Sequence, residues 1–197
     1  MTEIFEREPE YGNSLGRVNL TGYNGTKWRE VRIDTSTRSL QTIEYEHHEI
    51  HSGSHFYLGS YFSLANAATS TILAVVPNVE KVPHLIFELD GTQGTTFQIY
   101  EDAGGSGGTP LSSENNNRAS ANTSSVVLSA NVSITTAGTL FYAQSVGAGR
   151  TGGSIQRAKE LVLKADTGYL FLFTNQSSSV NLVNYIGEWY EHADKDA

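Results

Sequence analysis

The feature that most limits this chain is a succession of short apolar or alternating runs, each closed by turn residues. Thr71-Ile-Leu-Ala-Val-Val-Pro77 is a continuous apolar run ended by proline, the pattern of a strand buried on both faces. His84-Leu-Ile-Phe-Glu-Leu-Asp90 is another, followed by the turn Gly91-Thr-Gln-Gly94. Thr95 to Glu101 alternates with period two. Val126 to Val132, Thr139 to Val146, Glu160 to Lys164, Tyr169 to Asn175 and Val180 to Tyr190 continue the series. Arg157 to Lys164 fits a strand better than a helical turn, because of Leu161-Val-Leu163. No stretch carries an amphipathic helical period of any length. Nine to eleven short strands separated by Gly, Asn, Ser and Thr predict an all-β, jelly-roll-like antiparallel β-sandwich.

Two glycine loops interrupt the series. Ala103-Gly-Gly-Ser-Gly-Gly-Thr-Pro110 reads as a long hairpin tip, and Gly147-Ala-Gly-Arg-Thr-Gly-Gly153 as a second loop. Neither has the lysine and following helix of a phosphate-binding loop. Residues 1–30 show no sustained period, and Asn24-Gly25 favours a tight turn. Phe5, Tyr11, Tyr23 and Trp28 are scattered through this leader, which predicts an extended N-terminal arm anchored on a neighbouring surface. The expected division is an arm over 1–30 and a β-domain over 31–197, with Trp28 to Asp34 as a short strand between them.

Composition narrows the function. With 197 residues, one domain can bury a proper core. The net charge of −8 argues against a nucleic-acid binder, and no basic run attracts a membrane surface. The charged N-terminus lacks the apolar region of a signal peptide, so synthesis in the cytoplasm without export is expected. Without cysteine, disulfides and thiolate metal sites are ruled out.

Chemistry concentrates in Glu44-Tyr-Glu-His-His-Glu-Ile-His-Ser-Gly-Ser-His-Phe56, which holds four of the six histidines: His47, His48, His51 and His55. Read as a strand, this stretch puts His47, Glu49 and His51 on one face. Two imidazoles and a carboxylate suffice for zinc or non-haem iron. Cupins hold metal inside a jelly roll with such residues, and His84 is the one well-placed later candidate. The surrounding Glu44, Glu46 and Ser52 do not resemble the lining of an apolar pocket. The expectation is therefore a structural or interfacial His-Glu patch with no catalytic metal and no cofactor. Carboxylates are plentiful, but no spacing picks out a glycosidase pair, and no nucleophile elbow is present. Tyr185, Trp189 and Tyr190 on the last strand offer aromatic rings that a sugar would stack on, and such rings more often belong to a core or an interface.

With these segments placed, the chain resembles the jelly-roll decoration (cement) proteins of tailed bacteriophage heads. The resemblance is carried by Ile43 to Phe56, by Glu114-Asn-Asn-Asn-Arg118, by Glu160-Leu-Val-Leu-Lys164 running into Tyr169-Leu-Phe-Leu-Phe-Thr-Asn175, and by Trp189-Tyr-Glu-His192. Gly25 to Asp34 is similar to segments of phage virion proteins. The resemblance implies a non-enzymatic homotrimer on the capsid exterior, bound over junctions between subunits of the major capsid protein. It carries over no catalytic residue. His47, His48, Glu49, His51, His55, Phe5 and Trp28 are the candidate interface residues. Two other readings share the fold: a carbohydrate-binding head-fibre or tail receptor-binding module, and a cupin-like metalloenzyme.

Overall fold

A computed structural model describes residues 21–23, 28–30, 45–147 and 153–193. The chain divides into two units, Met1–Glu44 and Tyr45–Ala197. In the first, β1 (Thr21–Tyr23) pairs antiparallel with β2 (Trp28–Glu30), with Tyr23 opposite Trp28. The rest of the expected arm, including Phe5, lies outside the described residues, as does the Asn24-Gly25 turn.

The second unit begins with a helix, α1 (Tyr45–Ser52). The strands β3 (His55–Leu64), β4 (Thr69–Val76), β5 (Lys81–Gly91) and β6 (Thr95–Glu101) follow. Five short strands come next: β7 (Gly104–Ser106), β8 (Thr109–Leu111), β9 (Glu114–Asn115), β10 (Val127–Ala130) and β11 (Ser133–Thr136). The chain closes with β12 (Thr139–Val146), β13 (Gly153–Val162), β14 (Thr167–Asn175) and β15 (Asn181–Ala193).

The pairing has a simple logic. The first long strand pairs with the last, β3 with β15, and the series continues inward as β4 with β14, β5 with β13 and β6 with β12. All four pairs are antiparallel, so the chain is one long hairpin folded double and then rolled. Rolling adds the contacts β5–β15 and β6–β14. The result is two sheets, ordered β13-β5-β15-β3-β9 and β12-β6-β14-β4-β10-β8. This is the jelly roll that the strand pattern predicts.

Alternation fills the space between the sheets. Leu85, Phe87 and Leu89 of β5 point inward, as do Phe97 and Ile99 of β6, Tyr169, Phe171 and Phe173 of β14, and Val183, Tyr185 and Trp189 of β15. Phe97 is the hub. Its ring centroid lies 5.1 Å from Phe87, 5.1 Å from Phe173 and 5.8 Å from Tyr185. Such offset and edge-on pairs add attraction beyond the area they bury. A cavity of about 20 Å³ remains beside Tyr185, Leu85, Leu128 and Trp189, room for about one water.

The glycine stretch is not a bare tip. Residues 102–138 do form the tip of the rolled hairpin, but β8 pairs with β10, and β7 pairs with β11. Ala103 and Val132 from this insert cover Leu73 and Leu170 on the outer face of the six-stranded sheet. That cover explains why β4 is buried on both faces over most of its length. Glycine is required for the fit. A Cβ on Gly168 would lie 2.1 Å from the Ala103 carbonyl oxygen, and one on Gly105 would lie 2.9 Å from the Val132 side chain.

Two outcomes are expected. Phe97→Ala, which empties the hub, should lower stability by about 3–5 kcal/mol in urea denaturation. The Tyr185 hydroxyl is buried with no hydrogen-bond partner among the described residues, so Tyr185→Phe should be neutral or stabilise by ~1 kcal/mol in the same assay. Tyr169 supplies a pH test. Its hydroxyl accepts from the Lys164 backbone N–H at 2.9 Å and donates to Glu101 Oε2 at 3.2 Å. Burial, with Glu101 and Asp102 adding, pushes this phenol from 10.0 up to about 12. Below pH 10 folded and unfolded chains both keep the proton. Above it the unfolded chain ionises first, so stability should fall from pH 10 to about 12. Tyr169→Phe should flatten that slope in denaturation curves taken at stepped pH.

Candidate functional site

The histidine stretch corrects the strand expected there, because Tyr45–Ser52 is helical. The termination signal is local. Gly53 takes φ +74°, its N–H donates to the Ile50 carbonyl at 3.1 Å, and the Ser54 N–H donates to the Glu49 carbonyl at 3.0 Å. Those two bonds form a Schellman cap, which needs a residue without Cβ strain at this position. The helical period changes which side chains share a face. A strand would align His47, Glu49 and His51. The helix places His47 and His51 one turn apart in solvent and turns Glu49 into the protein.

Each histidine of the stretch, and Glu49, has a defined partner. The Nε2 atoms of His47 and His51 lie 2.7 Å apart, with ring centroids at 4.6 Å. His48 Nδ1 sits 3.3 Å from Glu49 Oε1. The buried Glu49 carboxylate accepts from the Ser54 hydroxyl and from the Ser52 hydroxyl at 3.4 Å. His55 is buried at the start of β3, where its Nδ1 lies 2.6 Å from the Asn116 side-chain amide.

The second word quoted above, Glu114 to Arg118, folds onto this helix. Strand β9 pairs with β3, Asn115 opposite Phe56. The Asn115 amide donates to the Gly53 carbonyl at 2.9 Å and to the Asn122 carbonyl at 3.2 Å. The Asn116 N–H donates to the His55 carbonyl at 3.0 Å, and the Asn117 amide reaches the His51 carbonyl at 3.2 Å. Asn115 Oδ1 in turn accepts the Asn117 N–H at 2.8 Å, fixing the loop's own shape. Three consecutive asparagines thus clamp the C-terminal end of α1. Nothing in the sequence showed the long-range partner of this polar run.

His84 belongs to a separate group on the outer face of the five-stranded sheet. Tyr190 lies between His55 and His84 in cross-strand register. His84 stacks on Tyr190 at 4.6 Å, with His192 edge-on at 6.4 Å. The Tyr190 hydroxyl donates to Glu160 Oε2 at 2.7 Å, and His84 Nδ1 lies 3.2 Å from the same oxygen. A small cleft of about 30 Å³ is lined by His84, Tyr190 and Glu160 with His55, Ile86, Glu188 and Trp189. Among the described residues, no group of three or more His, Asp or Glu is placed to hold a metal ion. The interior, where a cupin would carry its ligands, is occupied by Leu, Phe and Tyr side chains. Tyr185 and Trp189 are core residues, and Tyr190 is covered by His84, so these rings form no open stacking platform. Of the two apolar candidates in the leader, Trp28 lies in β2 and Phe5 is outside the described residues.

No protein-family model matches the chain, and no curated protein matches it. Among solved structures, it is aligned with two virus structures. One is that of T=1 particles derived from infectious bursal virus, at 11% identity and TM-score 0.15, covering 90% of this chain. The other is of the infectious bursal disease virus Gx strain, at 10% identity and TM-score 0.12, again covering 90% of this chain. The chain spans about half the length of those two chains, covering 49% of each. Scores this low carry no argument about this protein.

The clamp gives a direct test. Asn115→Ala should cost about 1–3 kcal/mol, because it strands buried polar partners, and should speed amide exchange over residues 45–55. Hydrogen-exchange mass spectrometry would check it, with residues 167–175 of the core as the unaffected reference.

Proposed function

We propose that this protein is a virion structural protein of the decoration type. In this reading it binds the outside of a tailed-phage capsid as a homotrimer and stabilises contacts between major capsid subunits. The observation that carries the reading is the distribution of contactable surface. The space between the sheets is filled by interlocked aromatic rings. What the molecule offers to others lies on its exterior and its edges.

Strand β12 is the clearest such edge. Among the described residues it is hydrogen-bonded to β6 on one side and ends the six-stranded sheet. Leu140 and Phe141 on it are 45% and 44% exposed. A long apolar edge strand is a template for pairing and is normally covered in the working assembly. Closed three-fold association or a capsid surface would cover it, and each contact adds to shell stability by mass action. The sequence resemblance to phage cement proteins supports the same reading, as does the expected N-terminal arm.

The test is co-sedimentation of the purified full-length protein with empty capsids, alongside light scattering of the free protein. The expected result is saturable binding and a trimer mass. Phe141→Asp should reduce both while leaving the circular dichroism spectrum unchanged. A strict monomer that fails to sediment with capsids would overturn the proposal.

A further inference from the structure

All six histidines of the chain lie among the described residues, and there is no cysteine. They fall into distinct environments. His55 meets Asn116, His48 meets Glu49, and His84 meets Tyr190 and Glu160 with His192 at its edge. His47 and His51 are different. Both are exposed, both sit on the same helical face, and their Nε2 atoms lie 2.7 Å apart.

We infer that His47 and His51 form a chelating site for a late first-row divalent cation of the zinc, nickel or copper class. Imidazole nitrogen is the ligand type these ions select in a chain without thiolates. The geometry is close to that of a chelate. Two nitrogens bound at ~2.0–2.1 Å to one ion, at roughly 90–110°, stand ~2.8–3.4 Å apart. The observed separation is 2.7 Å. Placing a cation between them therefore requires the rings to part by roughly 0.1–0.7 Å, within reach of small χ rotations. Each ring then keeps its proton on Nδ1 and presents Nε2 to the ion.

The scaffold under the pair is already fixed. The Schellman cap at Gly53 ends the helix one residue beyond His51, after Ser52, and the Asn117 amide holds the His51 carbonyl at 3.2 Å. Holding both ligands in place before binding reduces the entropy lost when the ion arrives. The spacing His-x-x-x-His is that of the helical zinc proteases, yet the acidic residue differs. Those enzymes need a glutamate next to the first histidine, facing the metal. Here the neighbour is His48, and Glu49 is turned into the protein and held by Ser54. The site therefore binds without supplying a hydrolytic base. Two protein ligands leave the remaining positions to water or to a donor from another molecule.

The site stands or falls separately from the capsid reading. The test uses full-length protein made without a polyhistidine tag and dialysed against chelator. Titration with zinc chloride and with nickel chloride, followed by calorimetry, should give one cation per chain. His47→Gln and His51→Gln should each abolish the binding heat, and His48→Gln should retain it. Circular dichroism of each variant confirms that the helix and sheet persist. Absence of binding by the unmodified chain would overturn the inference. So would binding that survives His47→Gln, or that is lost in His84→Gln instead.

Discussion

Everything in the β-domain depends on the pairing of its first long strand with its last. Ten residue pairs join β3 to β15, from Leu64 opposite Asn181 to His55 opposite Tyr190. The loop they close is most of the chain, so its closure costs entropy that only the later burial of the core offsets. The same pairing fixes the histidine helix. The Glu191 N–H donates to the Ser54 carbonyl at 3.0 Å, directly beyond the helix cap. The exit of α1 is thus tied to the end of the roll, and its position follows from sheet register. A one-residue slip of β15 would turn Val183, Tyr185 and Trp189 out of the core, which is what makes that register unique.

The insert at the hairpin tip serves two ends of the molecule. Its first and last strands, β7 and β11, fold back over the six-stranded sheet and bury Leu73 and Leu170 with Ala103 and Val132. Its middle portion crosses to the five-stranded sheet, adds β9 to β3 and clamps α1 through Asn115, Asn116 and Asn117. A segment read locally as loop is what couples the two sheets beyond the core. The Ser124 hydroxyl and the Ser125 N–H, both bonded to the Glu191 carboxylate at 2.5 and 2.9 Å, anchor the same segment to β15.

The long strands were legible because burial selects residue by residue with period two. Phe97 and Ile99, or Leu85, Phe87 and Leu89, announce their face directly. The helix was not legible by that route. Tyr45 to Ser52 has no apolar stripe, since α1 is held by its cap, by Glu49 and by asparagines far along the chain. Gly53 after Ser52 was the available signal, and it reads as a C-cap only once a helix is suspected. The error mattered at the site. Period two grouped His47, Glu49 and His51, whereas the helical period groups His47 with His51 and buries Glu49. The asparagine clamp was invisible for a different reason. Hydrogen bonds between residues 51 and 117 or 53 and 115 have no local signature.

These constraints explain how a mostly polar helix of eight residues stays ordered on a β-domain. Isolated helices of that length are unstable in water, because nucleation is unfavourable and few bonds follow it. Here the nucleation cost is offset from outside. The cap satisfies two terminal carbonyls, and Asn115 and Asn122 both donate to the Gly53 carbonyl beyond them. Glu49 is a side chain that α1 commits fully to the interior, and two serine hydroxyls neutralise its demand for donors. The outward face is thereby released from any structural task. His47 and His51 lie on that face, on backbone that the roll, the cap and the asparagine loop all hold in one place.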